Sequence, residues 1–80
     1  MLEVLQSYYS DKQVIVDLQG TTVTLLKRTQ VVEFEWDQWV EWRNGKLIQD
    51  AFPSHDADDR ELIMTGITTE EWDQMFGEEE

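Results

Sequence analysis

Two runs of β-branched residues flank a single glycine early in the chain, and this feature constrains the fold more than any other. Residues 13–18 and 21–26 are rich in valine, isoleucine and threonine, and Gln19-Gly20 lies between them. Because glycine supplies the positive φ that a tight turn needs, the segment predicts an antiparallel β-hairpin. An isolated hairpin is marginal in water, so other elements must cover its apolar face.

Two shorter segments beside the hairpin, residues 2–9 and residues 30–34, are candidates for additional strands. After residue 34 the pattern becomes helical. Apolar and aromatic residues then recur at spacings of three and four, which predicts a helix from about residue 35 to residue 43. The stripe consists of Trp36, Trp39, Val40 and Arg43.

Capping residues predict two further helices. Asp56 is an expected N-cap followed by acidic residues in the first turn, and Gly66 is the expected stop. Thr68 and Glu71 have the spacing of a capping box, which would open a last helix. Residues 46–52 predict a shorter turn or helix before a proline.

Together these patterns predict an α+β fold in a small single domain, residues 1–80. An N-terminal antiparallel β-hairpin or three-stranded sheet would pack against two to four short C-terminal helices. We expect residues 1–34 to be mainly β, residues 35–76 to be mainly helical, and residues 77–80 to form a frayed acidic tail. A domain of 80 residues buries roughly 60–65% of its unfolded surface, so each large apolar residue matters.

Charge is distributed unevenly along the chain. The net charge is −12, and all of it is carried by residues 33–80, because acids and bases balance in residues 1–32. A negative field repels nucleic acid and anionic membrane and attracts basic protein surfaces. We therefore expect no direct nucleic-acid or membrane partner. No apolar run spans a bilayer and no secretory signal is evident, so a cytoplasmic location is expected.

The residues that catalysis and metal binding require are sparse. His55 is the only histidine and there is no cysteine. Ser54-His55-Asp56 is not a triad, because a triad is a spatial arrangement and adjacent residues point apart. The acidic run from Asp56 fails the EF-hand pattern, since Glu61 and Ile67 occupy its glycine and glutamate positions. The sequence predicts no catalytic, cofactor-binding or metal-binding residue and hence no enzyme.

A four-residue repeat and one tryptophan stand out from the predicted core. Residues 35–38 and residues 71–74 are both Glu-Trp-Asp-Gln, and each copy lies near a predicted helix start. Most of the aromatic residues are expected to fill the core. Trp42 lies off the predicted helix stripe, so it either covers the edge of the core or stands exposed as an anchor for a partner.

The second half of the chain resembles a set of short phage-encoded proteins without a known activity. The resemblance covers roughly residues 39–76 and includes a Trp-x-x-Gly pattern from Trp42, Ile-Gln-x-Ala-Phe-Pro over residues 48–53, Arg60-Glu61-Leu62, a glycine, and Trp72-Asp73. Many such proteins carry Cys-x-x-Cys where this chain has Thr68 and Glu71, so a zinc or thiol role does not transfer. The resemblance implies a phage origin and no particular chemistry.

Small size, concentrated acid and the phage resemblance lead to one hypothesis. The protein would bind and inhibit a host protein, masking a basic nucleic-acid-binding surface as an anti-CRISPR or anti-restriction protein would. The alternatives are a self-associating structural module, in which homo-oligomers form, and an adaptor without nucleic-acid mimicry. The candidate partner-binding residues are Glu33, Glu35, Asp37, Glu41, Trp42, Asp50, Asp58, Asp59, Glu61, Glu70, Glu71 and Asp73.

Overall fold

The computed structural model describes residues 1–76 and has the predicted α+β architecture, a three-stranded antiparallel sheet with four short helices after it. The expected frayed tail, residues 77–80, lies outside the described residues. One helix precedes the sheet. The elements in chain order are α1 (Leu2–Tyr9), β1 (Ile15–Gln19), β2 (Thr22–Lys27), β3 (Gln30–Glu35), α2 (Trp36–Arg43), α3 (Ile48–Ala51), α4 (Ala57–Thr65) and α5 (Thr69–Phe76).

The sheet is a meander in the order β1-β2-β3, and its two faces differ as strand periodicity requires. One face contributes the rows Val16–Leu25–Val32 and Leu18–Val23–Phe34 to the core. The alternate residues face away from the core. The hairpin turn is at Gly20, where φ is +62°, and the third strand predicted after residue 30 is present.

The first segment of the chain corrects a prediction, because residues 2–9 form a helix and not a strand. Leu5 and Tyr9 are four residues apart and fully buried, whereas the intervening Gln6 and Ser7 are exposed. This burial follows the helical period of 3.6 residues and not the period of two that a strand would show. Residues 1–34 therefore combine a helix with the sheet.

Two tyrosines attach α1 to the far end of α4. The Tyr9 hydroxyl donates to the Ile63 carbonyl at 2.6 Å, and the Tyr8 hydroxyl donates to the Met64 carbonyl at 2.8 Å. Burial raises the pKa of the Tyr9 hydroxyl. That hydroxyl also accepts from the Trp39 indole at 3.2 Å. The last carbonyls of a helix lack partners within the helix, so these hydroxyls satisfy groups that burial would otherwise penalise.

The helix ends confirm the predicted caps. The Asp56 carboxylate accepts from the Asp59 amide at 2.9 Å at the start of α4. Gly66 ends α4 with φ +73°, a left-handed conformation that favours glycine. At the start of α5, the Thr68 hydroxyl accepts from the Glu71 amide at 3.1 Å and the Glu71 carboxylate accepts from the Thr68 amide at 2.9 Å.

The sheet and α5 are joined by an ion-pair network at the β2–β3 turn. The Lys27 ammonium lies 3.1 Å from the Glu71 carboxylate and donates to the Gly66 carbonyl at 2.7 Å. The Lys27 side chain is only 10% exposed. The Arg28 guanidinium adds contacts at 3.7 Å to Glu70 and Glu71. Removing one charge from a pair this shielded would leave the other poorly compensated.

Candidate functional site

The candidate acids divide into those that the fold already uses and those left for a partner. Glu71 belongs to the first group, because it caps α5 and pairs with Lys27 and Arg28. Its hydrogen bond from the Thr68 backbone, reinforced by Lys27, lowers the pKa of the Glu71 carboxyl. Glu70 forms the longer pair with Arg28 at 3.7 Å. These two glutamates therefore stabilise the domain.

Two more candidates are also engaged within the chain, and a third is partly buried. The Glu35 carboxylate accepts from the hydroxyls of Thr21 at 2.7 Å and Thr22 at 3.0 Å, so it joins the start of α2 to the sheet. Glu41 pairs with Lys46 at 3.2 Å. Asp59 is half-buried, and this burial, with the nearby Asp56 charge, raises the pKa of the Asp59 carboxyl.

Trp42 covers the edge of the core, so the alternative of a fully exposed anchor is not found. Its ring is half-buried and packs at a centroid distance of 6.2 Å from Trp39 and 6.5 Å from Phe52. The Arg43 guanidinium lies 5.0 Å from its centroid. Trp39 of the predicted stripe and Trp42 outside it both pack into the core because α1 and α3 approach α2 from different sides. The periodicity of α2 alone does not indicate this arrangement.

The remaining candidate acids are exposed except for the half-buried Glu61, and the structure brings three of them together. Asp58 and Glu61 of α4 lie across from Asp73 of α5, along an open groove of about 460 Å³. Glu33, Asp37 and Asp50 are exposed elsewhere and do not line it. We call this feature the α4–α5 groove. It is lined by Ala57, Asp58, Glu61, Thr69, Trp72 and Asp73.

Helix geometry explains why these side chains share one groove. Asp58 and Glu61 are three residues apart on α4, and Thr69 and Asp73 are four apart on α5, so each pair lies on one helix face. Among residues 1–76, no base pairs with any of the three groove carboxylates. Cations are favoured here on electrostatic grounds.

Trp72 is the groove residue that sequence reasoning did not select. It is half-buried and lines the groove between the carboxylates. An indole beside carboxylates can hold the side chain of a lysine or arginine, because the ring attracts the cation and packs against its methylene groups. The repeated tetrapeptide indicates a second tryptophan next to acidic residues. The local sequence does not show that Trp72, rather than Trp36, lies at a possible binding surface.

The part of the chain that the structure describes contains neither a cluster of metal-binding side chains nor a helix that could span a membrane. Residues 1–76 contain no group of three or more histidine, aspartate or glutamate side chains placed to hold a metal ion. None of the helices among these residues is long and apolar enough to cross a bilayer. His55 lies in the loop before α4, where its Nε2 is 2.6 Å from the Glu33 carbonyl.

The α4–α5 groove thus combines three uncompensated carboxylates with an aromatic wall. That combination suits a cationic side chain of a macromolecular partner. A comparison with protein-family models, with curated proteins and with solved structures found no match to this chain.

Proposed function

We propose that this protein binds a basic surface of a protein partner through the α4–α5 groove. The observation that carries the proposal is the grouping of Asp58, Glu61 and Asp73 beside Trp72, with no base paired to these carboxylates among the described residues. An arginine or lysine entering the groove would gain charge-assisted hydrogen bonds from the carboxylates. Its aliphatic stem would pack on the indole.

The biological role that we propose is inhibition of a host nucleic-acid-binding protein in the cytoplasm of an infected bacterium. A surface that binds phosphates with lysine and arginine also binds suitably placed carboxylates, so an acidic protein can occupy it. The net charge of −12 would raise the rate of encounter with such a surface at low salt. An anti-CRISPR or anti-restriction protein would act in this way.

Affinity capture from a bacterial lysate, with elution by a salt gradient, tests the proposal. The bait is the natural chain or a variant in which three carboxylates are replaced by amides. The groove variant carries Asp58→Asn, Glu61→Gln and Asp73→Asn. The matched control removes three exposed charges outside the groove through Glu33→Gln, Asp37→Asn and Asp50→Asn. Both variants lose the same net charge, so only the position of the charges differs.

We expect the natural chain and the control to retain nucleic-acid-binding proteins that modest salt releases, and the groove variant to lose them. Titration of each protein with a short oligo-arginine peptide supplies the direct measurement. The groove variant should bind this peptide at least tenfold more weakly than the control. Equal losses of peptide binding in both variants would contradict the assignment of binding to the groove, and would indicate a general effect of net charge.

One observation favours a second function, self-association through the outer face of the sheet. Ile15, Leu26 and Val31 form one cross-strand row on that face, and Ile15 is 63% exposed. An apolar contact should survive high salt, because screening weakens charge interactions and leaves apolar burial intact. Sedimentation at low and high salt separates the two functions, since only this second one predicts a salt-resistant oligomer. Val31→Lys should abolish that oligomer.

A further inference from the structure

A second open groove lies between α1 and α2, far in sequence from the acidic one. Its volume is about 560 Å³, and we call it the α1–α2 groove. Its two sides come from residues at helical spacings on each helix. They are Glu3, Val4, Ser7 and Tyr8 of α1 and Trp39 and Arg43 of α2. Val4 is 52% exposed, so the groove presents apolar surface to solvent.

Arg43 is held in this groove by aromatic rings. Its guanidinium carbon lies 5.0 Å from the ring centroid of Tyr8, 5.0 Å from that of Trp42 and 6.0 Å from that of Trp39. Cation–π attraction to three rings restricts where the planar group can lie. A restricted side chain loses less conformational entropy when a ligand binds it.

The Arg43 guanidinium makes no ion pair and no hydrogen bond with residues 1–76. This is unusual in a chain with 18 acidic and 6 basic residues. Glu41 is the nearest acid on α2, but it is only two residues from Arg43 and therefore faces a different side of the helix, where it pairs with Lys46. The N–H donors of Arg43 are therefore available to a ligand, and their fork geometry matches a carboxylate.

The residues around Arg43 further restrict the chemical class of the ligand. The exposed Glu3 carboxylate at the groove and the negative net charge disfavour a polyanion such as a phosphate chain. The Val4, Tyr8 and Trp39 side chains favour an apolar group next to the bound anion. The groove is open and does not enclose a small molecule, whereas an extended segment of another protein can lie along it.

We propose that the α1–α2 groove binds a protein segment in which a single carboxylate, from aspartate or glutamate, is flanked by apolar side chains. The carboxylate pairs with Arg43 and the apolar side chains pack against Val4 and the aromatic wall. This site is independent of the α4–α5 groove, which selects cations. A partner that matches both grooves presents an acidic–apolar segment and a basic surface, and this requirement makes recognition more selective.

Nuclear magnetic resonance titration of the full chain tests the proposal, with the Arg43 Nε–H signal and the Trp39 indole N–H signal as reporters. The probes are an acetylated, amidated pentapeptide of leucines with one central glutamate and the same peptide with glutamine. We expect the glutamate peptide to shift both signals and to bind roughly three- to tenfold more tightly than the glutamine peptide, as a charge-assisted hydrogen bond at a partly exposed site would give. Equal binding of the two peptides overturns the proposal.

Variants distinguish a specific site from general attraction. Arg43→Gln should remove the preference for the glutamate peptide, whereas Lys46→Gln removes an equal charge outside the groove and should leave it intact. Arg43→Lys should retain only part of the preference, because a lysine lacks the fork. Octanoate supplies a free apolar carboxylate, and octanoate binding as tightly as the peptide would overturn the assignment to a protein segment. The groove variant of Asp58, Glu61 and Asp73 should bind the glutamate peptide normally, so failure of one site does not imply failure of the other.

Discussion

The tetrapeptide Glu-Trp-Asp-Gln occurs at the start of α2 and again at the start of α5, and the two copies do different structural work. In the first copy the glutamate is the N-cap residue of a capping box: the Glu35 carboxylate accepts from the Gln38 amide, and the Gln38 side-chain oxygen accepts from the Glu35 amide at 2.8 Å. In the second copy the glutamate takes the position that Gln38 has in the first, because the Glu71 carboxylate accepts from the Thr68 amide at 2.9 Å. The helix start is thus displaced by three residues between the copies.

The residue three positions upstream explains the displacement. Thr68 precedes Glu71 by three residues and supplies the hydroxyl of a capping box. Val32 precedes Glu35 by three residues, and it is a buried strand residue that cannot begin a helix. The tryptophans diverge as a result. Trp36 stacks on Trp39 at 5.6 Å, whereas Trp72 lines the acidic groove. A short repeat therefore acquires its role from its flanks.

The largest expected effect comes from the glutamate of the second copy. Glu71→Gln keeps an acceptor for the Thr68 amide but removes the charge that faces the shielded Lys27. We expect the free energy of unfolding to fall by about 2 kcal/mol, the scale for a lost charged hydrogen bond. Urea unfolding followed by tryptophan fluorescence measures it. The same change in the first copy, Glu35→Gln, should cost under about 0.5 kcal/mol because that side chain is exposed. Equal costs would refute the distinction between the copies.

Loss of the upstream cap should have the next largest effect. Thr68→Ala removes the hydroxyl that accepts from the Glu71 amide, and Thr68 is only 2% exposed. We expect a loss of about 1.5 kcal/mol, within the range for an N-cap threonine. Thr68→Ser restores the hydroxyl and should recover most of the stability in the same urea measurement. Failure of serine to do so would assign the cost to packing of the threonine methyl group.

For the glutamines, substitution in the first copy should lower the free energy of unfolding more than substitution in the second, which is the reverse of the order for the glutamates. Gln38→Ala removes the cap on the Glu35 amide and a second hydrogen bond to the Ala51 carbonyl at 3.1 Å. We expect a loss of about 1 kcal/mol. Gln74 is exposed and has no hydrogen bond to the described residues, so Gln74→Ala should change the free energy of unfolding by less than about 0.3 kcal/mol. A larger cost at Gln74 would contradict the assigned roles.

The smallest expected effect concerns acid sensitivity. Because the pKa of Glu71 is lowered in the folded state, its ionised form stabilises the fold above the unfolded pKa. That contribution is lost as the pH falls through the folded pKa. The natural chain should therefore lose more stability between pH 6 and about pH 3 than Glu71→Gln does. Thermal unfolding across this pH range measures the slopes, and parallel slopes would show that Glu71 contributes nothing to them.

Local patterns predicted most of the fold. The N-cap at Asp56, the stop at Gly66 and the Thr68–Glu71 capping box each depend on residues within four positions of one another, and the hairpin at Gly20 depends on the two runs directly beside the turn. Short-range rules suffice for such features. The helix at residues 2–9 was missed because only its buried residues, Leu5 and Tyr9, show the helical period.

The candidate site was only partly predictable. Asp58, Glu61 and Asp73 were in the predicted pool of acids, but their grouping depends on how α4 crosses α5. The same crossing brings Trp72 into the groove. Glu35, Glu70 and Glu71 were in the pool as well, and contacts distant in sequence engage them within the fold instead. Tertiary contacts decide which charges remain for a partner, and no periodicity encodes them.

The tyrosine hydroxyls that join α1 to α4 set the order in which this chain can complete its fold during synthesis. The Tyr9–Ile63 and Tyr8–Met64 hydrogen bonds connect residues 54 and 56 positions apart. Contacts with such separation form late, because closing the intervening loop costs entropy before the contact contributes. The first helix can pack against the sheet and α2 earlier, but its two tyrosine hydrogen bonds cannot form until α4 has been translated. Translation of α4, rather than appearance of the hairpin, should therefore precede closure of the core.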